Sequence, residues 1–119
     1  MFALTIALAV LAGGSFVLIG LSKLVRRPMM VEAREHLGVP PPIWAAVGAL
    51  ELLGGAGLAI GLHADLPVIG VLAAAGLVAL TIGAAFYHQR AGDEMRDWMP
   101  AVVMGSLAIF YAILRIATA

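Results

Sequence analysis

Four stretches of the chain are long and apolar enough to cross a membrane. A hydrocarbon core of about 30 Å takes about 20 apolar residues at 1.5 Å per residue. Phe2–Ser22 carries no charge, Ile43–Leu62 carries only Glu51, Leu66–Tyr87 carries none, and Trp98–Leu114 carries none before Arg115. The pattern predicts an all-α fold: a single membrane domain over residues 1–119, arranged as an up-down four-helix transmembrane bundle with helices at about 2–24, 42–62, 66–88 and 98–117. Pro42, Pro67 and Pro100 are each expected in a first helical turn, where a missing N–H costs nothing. Trp44, Tyr87 and Trp98 stand where an interfacial aromatic belt would place them. His63-Ala64-Asp65 is so short a link that runs two and three must be antiparallel neighbours. Between runs one and two, Met29, Met30, Ala33 and Leu37 recur at helical spacing opposite charged residues, which predicts a short interfacial helix at about 28–37.

Composition supports this reading. Hydrophobic residues make up 63% of the chain and charged residues 12%, half the share an ordinary soluble domain carries. Seven basic residues balance seven acidic ones, so no basic footprint points to nucleic acid. The absence of cysteine excludes disulfides, thiolate metal sites and thiol catalysis within the chain. Lys23, Arg26, Arg27, Arg34, Arg90 and Arg96 flank loops 23–41 and 88–97, against Arg115 alone on the other side. The positive-inside rule then predicts a multi-pass protein of the inner cell membrane, with those loops cytoplasmic and both termini outside. The first run lacks a basic n-region, and Lys and Arg follow it instead of a small-residue cleavage site, so it is expected to remain as a helix.

Helices in lipid associate through small residues that let backbones approach. On a helical wheel Thr5, Ala9, Gly13, Phe16, Gly20 and Lys23 share one side of helix one, and Gly105 and Ala108 share one side of helix four. Helix two has Gly48 and Gly55 on one flank and Gly54, Gly57 and Gly61 on another. Helix three has a Gly70–Ala74–Thr81–His88 flank and a second at Gly76, Ala79 and Gly83, the pattern of a helix with two neighbours. Packing alone accounts for these stripes. Ser15, Ser22 and Ser106 fall off them, so their hydroxyls are expected to bond back to their own helices.

Glu51 is not explained by packing. It lies close to the bilayer midplane, where a charge costs about 3 kcal/mol, and such an acid marks a functional site by default. Trp44 stands one heptad behind it on the same side. Lys23 ends the small-residue stripe of helix one, and helical rise leaves about 8 Å of depth between it and Glu51 before either side chain extends. His88 ends helix three, one heptad from Thr81 on the same flank. Lys23, Glu51 and His88, with Thr81 and Trp44, are therefore candidates to bind a ligand or protons in one pocket facing the cytoplasm. Against this, Lys23 could snorkel to head groups, His88 could be an ordinary interfacial histidine, and Glu51 could be held by structural hydrogen bonds. Arg115 is expected to anchor helix four at the outer interface. His36 is assigned to a surface loop and His63 to the outer face, so no matched pair for haem is expected. No metal-ligand, nucleophile–base or phosphate-loop motif is found.

These residues resemble the DoxX-like family of small four-helix membrane proteins. The resemblance rests on Gly20-Leu-Ser-Lys23-Leu24 closing helix one, the proline-rich approach to helix two, Glu51-Leu-Leu-Gly54-Gly55 continuing to Gly61, His88 after helix three, and a proline opening helix four. It spans nearly the whole chain. The family includes a membrane subunit of an archaeal thiosulfate:quinone oxidoreductase, and other relatives are tied to oxidative-stress complexes or protein maturation. By similarity Lys23, Glu51 and His88 fall on the family's recurring polar positions, without a catalytic role attached.

Two functions are expected to compete. One is an accessory subunit that binds a quinone or lipid-like molecule beside Glu51 and serves a cofactor-bearing redox partner, since the chain alone offers no catalytic set. The other is a non-enzymatic assembly factor whose glycine-lined helix two docks a client helix. A small proton-coupled carrier is a third, unsupported by any inverted repeat. Four short helices bury little surface, so a homo-oligomer or a membrane-protein partner is expected beside the lipid bilayer.

Overall fold

The computed structural model describes residues 1–119 in full. Four helices are long and apolar enough to span a membrane: α1 (Phe2–Leu24), α3 (Pro41–Ile60), α4 (Pro67–Arg90) and α5 (Met95–Ala117). A short helix, α2 (Pro28–Leu37), lies between the first two, and there are no strands. The molecule is 41 Å along its longest axis, the thickness of a bilayer with its interfaces. Lys23, α2 and the α4–α5 loop lie at one end, called here the basic end; the termini and the α3–α4 turn lie at the other. Neighbours run in the order α1, α3, α4, α5, and α5 closes the ring by meeting only the first half of α1.

Only 22 of the 119 residues are buried, because the outer faces are Leu18, Leu53, Leu72, Phe110 and their like, which suit acyl chains rather than water. The inner seam is built of small residues. A Cβ at Gly13 would sit 2.9 Å from the Gly55 carbonyl oxygen, and one at Gly20 would overlap the carbonyl oxygen of Gly48. These two contacts set α1 directly on the backbone of α3. On the far side of α3, a Cβ at Gly54 would stand 2.6 Å from the Leu77 side chain, and Gly61 abuts Gly70. Between α4 and α5, a Cβ at Gly105 would stand 2.6 Å from the Thr81 hydroxyl oxygen. The second flank of α4 behaves differently. Added Cβ atoms at Gly76 and Gly83 would meet nothing within 4 Å, since both neighbours of α4 pack on its other sides.

Residues Ala9–Gly13 form a π-helical turn inside α1. Such a turn holds one residue more than an α turn. Thr5, Ala9, Phe16 and Gly20 are nevertheless all buried, so one inward face runs through the irregularity.

Several boundaries differ from the sequence pattern. Helix α5 starts at Met95, because Glu94 and Asp97 form a capping box: each side chain accepts from the other's backbone N–H. Pro100 consequently lies inside the helix rather than in its first turn, and removes the bond to the Arg96 carbonyl. Helix α3 begins at Pro41 and stops at Ile60, and α4 runs on to Arg90. Gly38 and Gly92 take positive φ values of 71° and 80° where the chain reverses after α2 and α4.

Arg115 is not an interfacial anchor. It is 2% exposed, with Nε donating to Gly61 O at 2.6 Å and an Nη to His63 O at 3.1 Å. The Tyr111 hydroxyl donates to Leu58 O at 2.6 Å. Side chains of α5 thus satisfy carbonyls at the end of α3 that have no helical partner, and a cation suits that negative end of the helix dipole. The direction of the side chain explains the difference. Helical side chains lean toward their own N-terminus, so an arginine near the end of α5 leans into the bundle. Phe2 covers it, its ring 5.7 Å from the guanidinium carbon.

Candidate functional site

The same rule of side-chain direction brings Lys23 to Glu51. Lys23 is in the last turn of α1 and leans back into the membrane; Glu51, midway along α3, leans toward the basic end. Gly48 clears the path: a Cβ there would stand 2.9 Å from Lys23 Cβ, so the lysine stem lies along bare backbone. Lys23 Nζ reaches Glu51 Oε1 at 2.5 Å, with the two side chains 12% and 8% exposed. Lys23 does not extend to the head groups. Its ammonium also lies 4.5 Å from the centre of the Trp44 ring, which shields it from the other side.

Glu51 and Lys23 border a chamber of about 200 Å³ at the basic end of the bundle. All four long helices contribute walls: Phe16 from α1, Val47 from α3, Leu80, Thr81 and His88 from α4, and Met104 from α5. The chamber lies where the second half of α1 and the start of α5 diverge. Trp44 is outside it, beside a second cavity of about 250 Å³ under α2 that also touches Lys23 and His88.

The polar groups around the chamber have distinct roles open to them. Lys23 retains two N–H groups beyond the one given to Glu51, and the second carboxylate oxygen of Glu51 is an acceptor. The Thr81 hydroxyl donates to Val78 O at 2.8 Å, which leaves its oxygen able to accept but not donate. His88 Nδ1 donates to Asp93 Oδ2 at 2.6 Å, so Nε2 is the uncommitted nitrogen of the ring.

Asp93, which pattern reasoning passed over, ties the site to the surface. Its other oxygen accepts from His36 Nε2 at 2.6 Å. His36 belongs to α2, the interfacial helix expected within the first loop, and the clamp joins it to the end of α4. Hydrogen bonds from His88 and then from His36 hold the Asp93 carboxyl below the usual aspartate range. Gly92, one residue before it, supplied the only sequence signal: a forced turn that brings an acid back toward the helix it follows. Ser15, Ser22 and Ser106 each bond to the carbonyl four residues back.

The fold and this site define a small four-helix membrane bundle with an ion pair buried beside an internal chamber. A model of the DoxX-like family matches residues 6–111, and the chain belongs to that family. No curated protein and no solved structure matches it significantly.

Proposed function

We propose that the chain is a membrane-embedded binding subunit that holds the head group of a quinone or similar lipid-like molecule in the chamber beside Glu51. The observation that carries this reading is a carboxylate and an ammonium, paired at 2.5 Å inside an apolar bundle, bordering a chamber of about 200 Å³. An apolar cavity of about 150 Å³ admits a benzene-sized ring, so one six-membered ring fits. A ring carbonyl would take a hydrogen bond from Lys23, and a ring hydroxyl would give one to Glu51 or Thr81. An isoprenoid or acyl tail would leave toward lipid between α1 and α5. Protons would pass between the chamber and the basic end through His88, Asp93 and His36. Electron transfer would belong to a cofactor-bearing partner in a redox complex.

The assembly-factor reading asks the glycines of α3 to receive a client helix. Gly48 and Gly55 are covered by α1, and Gly54 and Gly61 by α4, and Glu51 has Lys23 as its partner. Only the open Gly76–Ala79–Gly83 flank of α4 favours docking of a helix, from a partner or a second copy.

The test is purification of the full chain in a mild detergent, with mass spectrometry of bound small molecules and titration with a short-tailed quinone followed by tryptophan fluorescence. Wild type is expected to bind saturably and Glu51→Gln to lose at least tenfold in affinity while remaining folded. Equal binding by both proteins, or none by wild type, would rule the reading out.

A further inference from the structure

A third cavity, of about 250 Å³, lies at the basic end between the close of α1, α2 and the start of α3, with Trp44 in its wall as it is in that of the cavity under α2. Its polar lining is wholly cationic: Lys23, Arg26 and Arg34. The acids nearby do not balance them. Glu51 is committed to Lys23, and Glu35, 65% exposed, stands 3.7 Å from Arg34. Arg26 and its neighbour Arg27 pair with no carboxylate. The remaining walls are apolar, from Leu24, Val31, Pro41 and the Trp44 ring.

Cations at one end of a small cavity and hydrocarbon at the other match a group with the same two halves. We infer that this notch binds a phosphate ester, and that its source is an anionic phospholipid of the leaflet at the basic end. Arg26 and Arg34 take the phosphate, and Leu24, Val31 and Trp44 take the glycerol and the first methylenes. A soluble phosphate would use the cations and leave the apolar walls without an occupant. A choline head group would bring a cation into an already positive notch. Basic pockets between membrane helices recognise anionic head groups on these terms, and tryptophan lies at head-group depth for the same reason. The notch shares Lys23 with the chamber, but it takes the phosphate on Arg26 and Arg34 and so stands without the quinone-binding reading.

Arg34 also donates to Val39 O at 3.1 Å and so helps join α2 to α3. Arg26 makes no hydrogen bond through its side chain and holds a positive φ of 57°, a conformation that asparagine adopts more readily than arginine. Arg26→Asn therefore removes a charge without threatening the fold, and it is the deciding variant. The full chain in a nonionic detergent is titrated with phosphatidylglycerol and, separately, with phosphatidylcholine, and occupancy is read by native mass spectrometry. Phosphatidylglycerol is expected to bind more tightly. Arg26→Asn should weaken it about fivefold, the share of one basic residue at a membrane surface. Arg90→Gln, a charge lost at the same end outside the notch, should leave it unchanged. Equal retention of the two lipids, or an Arg26→Asn protein that binds like Arg90→Gln, overturns the site. Glycerol 1-phosphate is the competitor that separates the sources: no displacement at millimolar concentration supports the lipid, and displacement overturns the lipid assignment in favour of a soluble ester.

Discussion

The Lys23–Glu51 pair allows a prediction with a threshold. Both side chains are nearly out of solvent contact, at 12% and 8% exposure, and the atoms are 2.5 Å apart. Removing one member of a buried ion pair costs about 3–5 kcal/mol, because a charge is left without a partner. Lys23→Met should fall in that range. Glu51→Gln should cost less, about 2–3 kcal/mol, since the amide oxygen still accepts from the ammonium. The double variant leaves no unpaired charge and should cost about 1–2 kcal/mol rather than the sum, a coupling energy above about 3 kcal/mol. Neutral hydrogen bonds between membrane helices couple by about 0.6 kcal/mol on average and 1.7 at most. A value above about 2 therefore identifies an ion pair. The assay is reversible unfolding in mixed micelles with rising dodecyl sulfate. Fluorescence is a suitable signal, since Trp44 stacks on the Lys23 ammonium. A coupling energy near 0.6 kcal/mol would show that the pair acts as an ordinary hydrogen bond, and would remove the reason for treating Glu51 as a held charge.

The same unfolding assay tests the rest of the architecture. Gly20→Ala puts a methyl onto the Gly48 carbonyl and should destabilise by about 2 kcal/mol or more, whereas Gly76→Ala, with nothing within 4 Å, should be neutral or gain up to about 1 kcal/mol. Similar costs at both positions would contradict the packing. Arg115→Met leaves the Gly61 carbonyl without a donor and His63 O with the Leu66 N–H alone, and should cost about 2–3 kcal/mol, with little recovery in Arg115→Lys, which lacks the planar fork. Asp93→Asn should release α2 at neutral pH, seen as faster amide exchange in Pro28–Leu37. Because the folded-state pKa of Asp93 is depressed, its contribution is complete above the ordinary aspartate value of about 3.9 and is lost as pH falls through the lowered one. Equal protection of the α2 amides in wild type and Asp93→Asn at neutral pH would refute the clamp.

Much of the fold was legible because lipid imposes one rule on long runs. Each span had to be helical and apolar, and small residues had to bring the backbones of neighbouring spans together. The wheel of helix one identified the face that is buried, even across a π turn that no residue in the run announces. Boundaries were less legible where polar caps set them: Pro100 looked like a first-turn residue because Glu94 and Asp97, the pair that starts α5, lie in a hydrophilic loop. At the site, helical rise alone left Lys23 about 8 Å from Glu51. The lean of side chains toward the helix N-terminus closes that gap, and it also turns Arg115 inward. Asp93 could not be found this way. Its role depends on a loop fold that places two histidines, from α2 and α4, on one carboxylate.

The π turn at Ala9–Gly13 has a bearing on how this chain can vary. A residue added to a regular helix advances everything beyond it by about 100° around the axis and 1.5 Å along it, whereas a π turn takes up its extra residue locally. Deleting one residue from Ala9–Gly13 should therefore restore a regular coil with Lys23 still opposite Glu51. Deleting one from Gly14–Ser22 has no such buffer: it would swing Leu24 to the azimuth Lys23 now holds and leave the carboxylate beside an aliphatic side chain. Length in α1 is thus free to vary by one position at the π turn and is fixed beyond it.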